Sequence, residues 1–586
     1  MKAQVLLPKV FNFPFTYNSN IQGKIGNLVE VPFGSKKEIG VIWKNNYAEP
    51  KNIKIKDISK KTEYSIDKKL VDFIEWFSSY NMVPIGLVLK MVIGSTDKFI
   101  RIKDNPIVVK KTKKKKFDLN EEQLVALKFL EKEKNKFDVS VLQGTTGSGK
   151  TLVYFERIKK VIKQSNQALV LLPEIFLTND FKSRFEDFFG FEPAIWHSKI
   201  TPKQKRLIWK GIINNKIKIL IGARSALLLP FKKLGIIIVD EEHDASYKQD
   251  DRVAYNARDM AIVRARLADH PVVLVSATPS METVVNMQEG RFEQLVLPER
   301  HGAAELPDIK LIDLTKDPPD KLEQPGLEAL GPAWLAPPLV EALADTLAKQ
   351  EQALLFLNRR GYAPLTLCQS CGHRWQCPNC TAWLVEHRLA HRLQCHHCGL
   401  AMPLPSHCPS CGAEDSIIAC GPGVERVAEE VQTRFPAARI GLLTSDMLTG
   451  PLAMREFMAK VHTREIDIVI GTQIMAKGHH FPLLTLVGIV DADMGLGGGD
   501  IRAPERSFQL LQQVAGRAGR GESPGTVMVQ TRLPNEPVLQ ALAAHDRDGF
   551  MAAVDADRRM HAMPPYGRLA ALIITDTDQN RLNEAV

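Results

Sequence analysis

Eight residues at 144–151, Gly-Thr-Thr-Gly-Ser-Gly-Lys-Thr, have the types and spacing of a loop that binds phosphate. They follow an apolar stretch at 139–142 and precede an amphipathic stretch that begins at Leu152, which predicts strand, glycine-rich turn and helix. Such a turn directs backbone N–H groups and a helix N-terminus at phosphate oxygens. We expect Lys150 to contact the β- and γ-phosphates of a nucleoside triphosphate and Thr151 to ligate Mg²⁺. The expected nucleotide-binding residues of the loop are Gly144, Thr145, Thr146, Gly147, Ser148, Gly149, Lys150 and Thr151.

A second group is acidic and follows the apolar run at 234–239 with the sequence Asp-Glu-Glu-His. An aspartate at the carboxyl end of a strand beside a phosphate loop holds Mg²⁺ through water, which is the role we expect for Asp240. Glu241 is placed to orient or deprotonate the attacking water. A solvated acidic turn is the alternative, and the position after a buried strand argues against it.

A third group lies near the other end of the chain, in the sequence QVAGRAGR at 513–520. Arg517 and Arg520 are three residues apart, and this spacing predicts that both lie on one helix face. Guanidinium groups reaching across a cleft would stabilise charge on the transferring phosphoryl group. A basic helix end is the alternative interpretation.

The cysteines form a fourth group, because all nine lie between 368 and 420 and eight form Cys-x-x-Cys pairs. In a cytoplasmic protein this pattern indicates metal binding and not disulfides. Eight thiolates suffice for two closed, structural Cys₄ zinc sites, but spacing alone does not fix which pairs combine. A redox site is the alternative, and four repeated pairs exceed what it needs. The pairs are Cys368/Cys371, Cys377/Cys380, Cys395/Cys398 and Cys408/Cys411.

These groups must be positioned by two regions in which apolar strands alternate with helical stretches, at 117–290 and at 351–358 with 416–535. That alternation is typical of doubly wound parallel α/β sheets. Residues 1–95 are punctuated by glycine and proline and predict a small β-rich module with a helix at 70–76. The predicted sheet strands are 139–142, 168–172, 217–221, 235–239, 272–275, 353–357, 439–443, 467–471, 486–490 and 526–529.

Charge points to a polyanionic partner. The chain has 586 residues and a net charge of +10, but residues 1–250 carry 45 Lys and Arg against 27 Asp and Glu. Lysine and arginine gain affinity for nucleic acid by releasing phosphate counterions. Apolar runs such as 234–239 are too short to span a bilayer, and no N-terminal leader is recognisable, so we expect a soluble, cytoplasmic protein.

The order of these motifs resembles that of superfamily 2 helicases. Besides the phosphate loop, the acidic group and QVAGRAGR, the resemblance rests on Gln123 and on the sequences LPE, GARS, SATP and GTQ. These four sequences begin at 172, 222, 276 and 471. With the cysteine pairs and the VPFG sequence at 31–34, the chain resembles the replication-restart helicases of the primosomal protein N′ (PriA) family.

This resemblance implies two RecA-like lobes, an N-terminal β-rich DNA-binding module and a two-zinc insertion in the second lobe. It implies an ATP-dependent 3′-to-5′ DNA helicase that recognises stalled or repaired forks and initiates primosome assembly. The implied partners are forked and single-stranded DNA, primosome proteins and single-strand DNA-binding protein, and the chain is expected to be a monomer. The zincs would be nested, with the outer pairs 368/371 and 408/411 holding one ion and the inner pairs the other.

Residue roles follow from the same resemblance. Gln123 would read adenine, and residues 276–278 would couple hydrolysis to DNA movement. Phe15 and Tyr17 would lie near a pocket for a 3′-OH end, although Tyr17 reads equally well as core. The remaining residues implied along DNA are Glu174, Arg224, Tyr247, Tyr255 and Lys477, the two tyrosines by stacking on bases.

The expected domains are 1–95, the 3′-end DNA-binding module; 96–116, a solvated basic linker; 117–295, the ATP-binding lobe; 296–365, the start of the second lobe; 366–412, the zinc segment; 413–540, the rest of the second lobe; and 541–586, a shortened C-terminal domain. The linker is too short for the winged-helix domain typical of the family. Two other functions remain open: a zinc-bearing fork-recognition scaffold with little ATPase activity, and another superfamily 2 helicase.

Overall fold

The computed structural model contains two parallel sheets, one in each lobe, with smaller antiparallel sheets at the N-terminus and within the second lobe. It describes residues 2–19, 23–44, 55–94, 110–131, 136–145, 147–173, 179–251, 253–297, 306–320, 333–358, 365–368, 373, 375, 377–378, 384–387, 392–395, 400–414, 417–420, 424–443, 451–472, 481, 483–496, 500–519, 524–569 and 581. No helix in these ranges is long and apolar enough to cross a membrane.

The N-terminal module is an antiparallel sheet with strand order β2-β1-β4-β3-β5, followed by two helices. The predicted helix at 70–76 lies within the first of them, which the Asp67 carboxylate caps by accepting from the Leu70 N–H. The elements are β1 (Lys2–Leu6), β2 (Phe15–Asn18), β3 (Asn27–Phe33), β4 (Lys36–Ile42), β5 (Lys60–Ser65), α1 (Lys68–Tyr80) and α2 (Ile85–Ile93).

The first lobe is a seven-stranded parallel sheet with order β14-β6-β13-β10-β7-β9-β8. Its central strands are continuous apolar runs, as expected for strands that helices cover on both faces. The strands are β6 (Val139–Gly144), β7 (Gln167–Leu171), β8 (Ala194–Trp196), β9 (Ile219–Gly222), β10 (Leu234–Asp240), β13 (Val272–Ser276) and β14 (Glu293–Leu297), with a hairpin of β11 (Lys248–Gln249) and β12 (Tyr255–Asn256). The helices are α3 (Glu121–Phe129), α4 (Lys150–Lys163), α5 (Asn179–Phe189), α6 (Pro202–Ile213), α7 (Ala257–Ala268) and α8 (Met281–Gln288).

The second lobe is a six-stranded parallel sheet with order β15-β25-β24-β16-β23-β22. The predicted fold class, two doubly wound lobes, is confirmed. The strands are β15 (Asp308–Asp313), β16 (Gln352–Leu357), β22 (Ile440–Leu443), β23 (Ile468–Gly471), β24 (Leu484–Asp491) and β25 (Thr526–Thr531). The helices are α9 (Pro337–Ala348), α10 (Val424–Arg434), α11 (Pro451–His462), α12 (Ala503–Ala515), α13 (Pro537–Ala543) and α14 (Arg547–Met560).

The cysteine segment is an antiparallel sheet inserted between β16 and α10, with strand order β20-β19-β18-β17-β21. Among the described residues of this segment the buried cluster is small and includes four of the cysteines, so apolar burial there gives the sheet little support. The strands are β17 (Leu365–Cys368), β18 (Leu384–His387), β19 (Arg392–Cys395), β20 (Ala401–Pro403) and β21 (Ile417–Cys420).

Three segments lie differently from the sequence-based expectation. The expected lobe boundary at 295–296 falls inside β14, which pairs with β6, so the chain crosses between lobes after Leu297. Helix α14, in the segment expected to be a separate domain, packs Phe550 into the core of the second lobe. The lysine run at 110–116 is exposed but fixed, because Thr112 N–H donates to Gly190 O at 2.9 Å and Lys115 N–H donates to Asp187 O at 2.6 Å.

Candidate nucleotide site at the lobe junction

The phosphate loop joins β6 to α4 through two glycines with left-handed backbone, Gly147 (φ +97°) and Gly149 (φ +82°). Glycine adopts these angles without the steric penalty of a side chain. The Lys150 ammonium lies over the loop and donates to the carbonyls of Gly144 at 2.7 Å and Thr145 at 2.9 Å. The loop therefore has the strand–turn–helix geometry that the sequence predicts, while Thr146 lies outside the described residues.

Gln123 packs against this loop from α3. It closes a capping box with Asn120, and its amide nitrogen donates to Ser148 O at 3.3 Å. A Cβ added to Gly149 would lie only 2.2 Å from the same nitrogen. Gln123 is thus held in one orientation beside the loop. That it contacts adenine stays a prediction.

Asp240 ends β10 beside the phosphate loop, as expected. Its Oδ2 accepts a 2.9 Å hydrogen bond from the Tyr154 hydroxyl, and its Oδ1 accepts one from the Glu241 N–H at 3.0 Å. Burial, together with the nearby Glu241 charge, raises the pKa of Asp240 to about 7. Tyr154 was not among the predicted site residues, although it lies four residues after Lys150 and hence on the same face of α4.

Glu242, the third residue of the acidic group, is buried among hydrogen-bond donors. Glu242 is 2% exposed and accepts from Ser280 N–H at 2.7 Å, Thr283 Oγ1 at 3.0 Å and Arg258 Nη1 at 3.0 Å. This set of donors gives Glu242 a structural role that its position in the motif did not reveal.

His243 links both lobes. Its Nδ1 lies 2.7 Å from Ser276 Oγ, and its Nε2 lies 2.8 Å from the amide nitrogen of Gln513. Because the amide nitrogen can only donate, Nε2 accepts and Nδ1 carries the proton that it donates to Ser276. Ser276 Oγ also accepts from Thr278 N–H at 3.0 Å, so the histidine connects the acidic group, residues 276–278 and the second lobe.

Helix α12 meets the first lobe along a stripe of residues spaced four apart. Glu505 Oε1 accepts from Met281 N–H at 2.9 Å, and the Gln509 amide donates to Thr278 O at 3.3 Å. Gln513 follows four residues later on the same face and contacts His243. The stripe therefore leads along α12 toward the phosphate loop.

Arg517 continues the same spacing but lies past the end of α12, which closes at Ala515 with Gly516 as its C-cap. The prediction that Arg517 and Arg520 share one helix face is therefore wrong for Arg517, because the glycines end the helix first. Arg517 is 5% exposed; burial lowers its pKa to about 10, and the Glu241 charge opposes that shift. The guanidinium is thus buried near Glu241, and Arg520 lies outside the described residues.

The described cysteines fit a zinc ion at one site. The sulfurs of Cys368, Cys408 and Cys411 all lie within 4.8 Å of one another, with 3.7 Å between Cys368 and Cys411. Sulfurs about 2.3 Å from a tetrahedral zinc are about 3.8 Å apart, so this separation suits a shared ion. The grouping joins the two outer pairs. Cys377 and Cys395 are buried. The other three predicted ligands, Cys371, Cys380 and Cys398, lie outside the described residues.

The two aromatic residues expected near a DNA 3′ end differ in their surroundings. Phe15 belongs to a cluster of rings with Phe11, Phe13 and Phe33, at centroid distances of 5.0 to 5.3 Å from Phe15. Tyr17 is 4% exposed and donates to Pro32 O, so it serves as core in this conformation.

Around the hairpin, Arg224 is half-buried and donates to Ser246 O at 3.2 Å and Lys248 O at 2.8 Å. Tyr247 and Tyr255 are 1% and 4% exposed, so neither ring is available to stack on a base in this structure. Tyr247 instead donates to Asp240 O at 2.5 Å. Glu174 and Lys477, which were also expected along DNA, lie outside the described residues.

Three family models match separate parts of the chain. A DEAD/DEAH box helicase model matches residues 120–287, a 3′DNA-binding domain model matches 4–94, and a PriA DNA helicase Cys-rich region model matches 377–403. The chain is 42% identical over 590 residues to the replication restart protein PriA of Rickettsia felis, covering 99% of this chain and 88% of that protein. It is 40% identical over 437 residues to the Bacillus subtilis protein of the same name, covering 75% of this chain and 53% of that protein. The chain belongs to the family of the replication restart protein PriA.

Proposed function

We propose that this protein is an ATP-dependent DNA helicase and translocase that moves 3′ to 5′ at stalled or repaired replication forks and initiates primosome assembly there. The observation that carries the proposal is the lobe junction. Lys150, Asp240 and Glu241 lie on one wall, and α12 brings Arg517 to the same place from the other.

Within that cleft each side chain has a distinct task. Lys150 and the N–H groups of the loop hold the β- and γ-phosphates, and Gln123 selects adenine. Thr151 and Asp240 would hold Mg²⁺, which would supply positive charge against the transferring phosphoryl group. Glu241 orients and deprotonates the attacking water, and Arg517 with Arg520 stabilises the charge that develops. Burial of Arg517 favours this role, because charges interact more strongly where water is excluded.

Movement along DNA follows from closing and opening the junction. Residues 276–278 receive contacts from both His243 and α12, so a change at the γ-phosphate reaches the segment that couples to DNA. The N-terminal module, with Phe15 in its ring cluster, captures a 3′ end, while Arg224, Lys477 and Glu174 lie along the single strand. Tyr247 and Tyr255 would have to leave their buried positions before they could stack on bases.

The cysteine segment holds two structural zinc ions in the nested arrangement. The geometry of the outer pairs supports this, since Cys368, Cys408 and Cys411 converge from distant parts of the segment. Zinc ligation replaces the large apolar core that this small sheet lacks. The segment grips or splits the duplex and receives primosome proteins and single-strand DNA-binding protein, and we place the protein, as a monomer, in the cytoplasm.

The test combines hydrolysis and unwinding. ATPase rates are measured with and without forked DNA for the wild type and for Lys150→Ala, and duplexes carrying only a 3′ or only a 5′ single-stranded tail report the direction. We expect DNA-stimulated hydrolysis that Lys150→Ala abolishes, and unwinding of the duplex whose tail loads a 3′-to-5′ motor. Fork binding without stimulated hydrolysis would refute the motor and favour a fork-recognition scaffold.

A further inference from the structure

Helix α14, the last long helix in the described part of the chain, lies across the junction between the lobes. Arg547 and Arg558 are eleven residues apart on it, about three turns, so both project from one face. Between them Phe550 stacks on Phe508 of α12, with ring centroids 4.6 Å apart and planes 20° apart. The helix therefore contacts α12 directly and sends one arginine to each end of the contact.

Arg558 supports the first residue of the α12 stripe. Its Nη2 donates to Glu505 Oε2 at 2.7 Å, while Glu505 Oε1 accepts from Met281 N–H at 2.9 Å. The two side chains are 3% and 4% exposed. Because Met281 begins α8 in the first lobe, the Arg558–Glu505 pair joins α14, α12 and the first lobe in one buried contact.

Arg547 crosses to the first lobe itself. Its Nη1 lies 3.4 Å from Ala277 O, within the segment 276–278. With the Gln143 amide oriented so that its oxygen faces the guanidinium, Nη2 lies 2.7 Å from that oxygen. Gln143 directly precedes the phosphate loop on β6. One arginine of α14 thus contacts both the strand that carries the loop and the segment that responds to it.

We propose that α14 is a clasp across the junction, with Arg547 and Arg558 as positioning residues for Arg517. Helix α12 is rigid, so fixing Glu505 at its first turn fixes where Gln509 and Gln513 meet the first lobe, with Gln513 about 12 Å further along. Arg517 follows just past the end of the helix. Arg547 fixes the opposing wall at Ala277 and Gln143. This inference rests on the proposed ATP hydrolysis, which it deepens by assigning residues outside the phosphate loop and the acidic group.

Arg559 provides a matched control on the same helix. It follows Arg558 directly, but its side chain is 62% exposed and contacts Asp555 and Tyr566 within its own segment. Arg559→Ala removes the same charge from the same element without touching the junction. A general effect of arginine loss on α14 would therefore appear in this variant too.

The experiment uses the full chain in three single variants, Arg547→Ala, Arg558→Met and Arg559→Ala, and in Arg517→Ala with and without Arg547→Ala. We expect the first two to lower the DNA-stimulated turnover number about 10- to 100-fold, because misplacing a catalytic group by about 1 Å has effects of that size. The half-saturating ATP concentration should change less than about threefold, since the phosphate loop is intact. In the Arg517→Ala background, Arg547→Ala should lower turnover by less than about twofold further, as expected of residues that act as a unit.

A second readout does not depend on hydrolysis. Hydrogen exchange at the Met281 amide, which donates to Glu505, should accelerate in Arg558→Met and stay unchanged in Arg559→Ala. Turnover within about twofold of wild type in Arg547→Ala and Arg558→Met, or effects that multiply with Arg517→Ala, would overturn the clasp. A wild-type chain that hydrolyses no ATP would refute the proposed function. The exchange rate of the Met281 amide would then decide on the clasp, which an unchanged rate in Arg558→Met would overturn.

Discussion

The buried carboxylate of Glu242 offers the sharpest test of how the junction is held together. The Glu242→Gln substitution keeps the shape of the side chain but removes its charge. Four donors converge on this carboxylate: Ser280 N–H, Ser280 Oγ, Thr283 Oγ1 and Arg258 Nη1. The amide that replaces it would direct N–H groups at donors, so the substitution leaves a buried guanidinium without its most deeply buried counter-charge.

The expected cost follows from burial. The Glu242 and Arg258 side chains are 0% and 6% exposed, and removing one partner of such a pair costs about 3–5 kcal/mol. Two other carboxylates remain near Arg258: Asp259, 49% exposed at 2.8 Å, which contributes only about 0–1 kcal/mol, and Glu282 at 4.0 Å, which also pairs with Arg502. In a lobe of this size about 1 kcal/mol shifts the midpoint by about 2–4 °C, so we expect a thermal midpoint lower by about 6–20 °C.

The assay is thermal unfolding of the full chain, read from the transition of the first lobe. Asp259→Asn is the matched control, because it removes a carboxylate from the exposed side of the same guanidinium and should shift the midpoint by no more than about 4 °C. Adding Arg258→Met to Glu242→Gln should recover much of the loss, since no uncompensated charge remains. A midpoint for Glu242→Gln within about 2 °C of wild type would refute the reasoning.

Three further changes test other parts of the site. Gly149→Ala places a Cβ 2.2 Å from the Gln123 amide at a backbone φ of +82°, so ATP affinity should fall at least about tenfold in a titration with a fluorescent nucleotide; unchanged affinity would contradict the fixed loop. Cys411→Ser should halve the zinc content measured with a chromogenic chelator, from two ions to one per chain, whereas a drop to none would show that the two sites are not independent. The raised pKa of Asp240, about 7, means that the carboxylate is charged only above that pH, so Mg²⁺ affinity should increase as pH rises through 7 and lose this dependence in Asp240→Asn, as judged by metal competition. A flat profile in the wild type would argue against a buried Asp240 at the metal site.

Much of the fold was predictable because its strands are buried on both faces. The ten predicted sheet strands each correspond to an observed one, with ends differing by a few residues. Three strands of the parallel sheets were missed, β8, β14 and β15, and all lie at sheet edges. Strand β8 has only three residues, whereas exposed charged residues interrupt the apolar pattern of the other two, as in the sequence Glu-Gln-Leu-Val-Leu of β14. The short strands of the cysteine segment were missed for a different reason, because metal ligands replace the apolar periodicity there.

The site was predictable where local sequence sets local geometry. The phosphate loop and Asp240 needed only a strand, a turn and a helix, and both lie where expected. The roles of Glu505 and Arg558 depend on contacts between residues 53 apart and on the packing of α14, which no local pattern records. The end of α12 before Arg517 was signalled by Gly516, which the three-residue spacing of the two arginines does not take into account.

The stripe on α12 also constrains how the lobes can separate. Glu505, Gln509 and Gln513 contact three different segments of the first lobe from one helix face, so a rotation of α12 about its own axis would break all three contacts together. A hinge opening would break them in sequence instead. Beside Glu505, Arg502 at the start of α12 also forms an ion pair with Glu282 of α8, so this end of the junction is held by a second contact and opening should begin at the Gln513 end. The Arg517 end of the cleft, where the proposed function puts the γ-phosphate, would then open first.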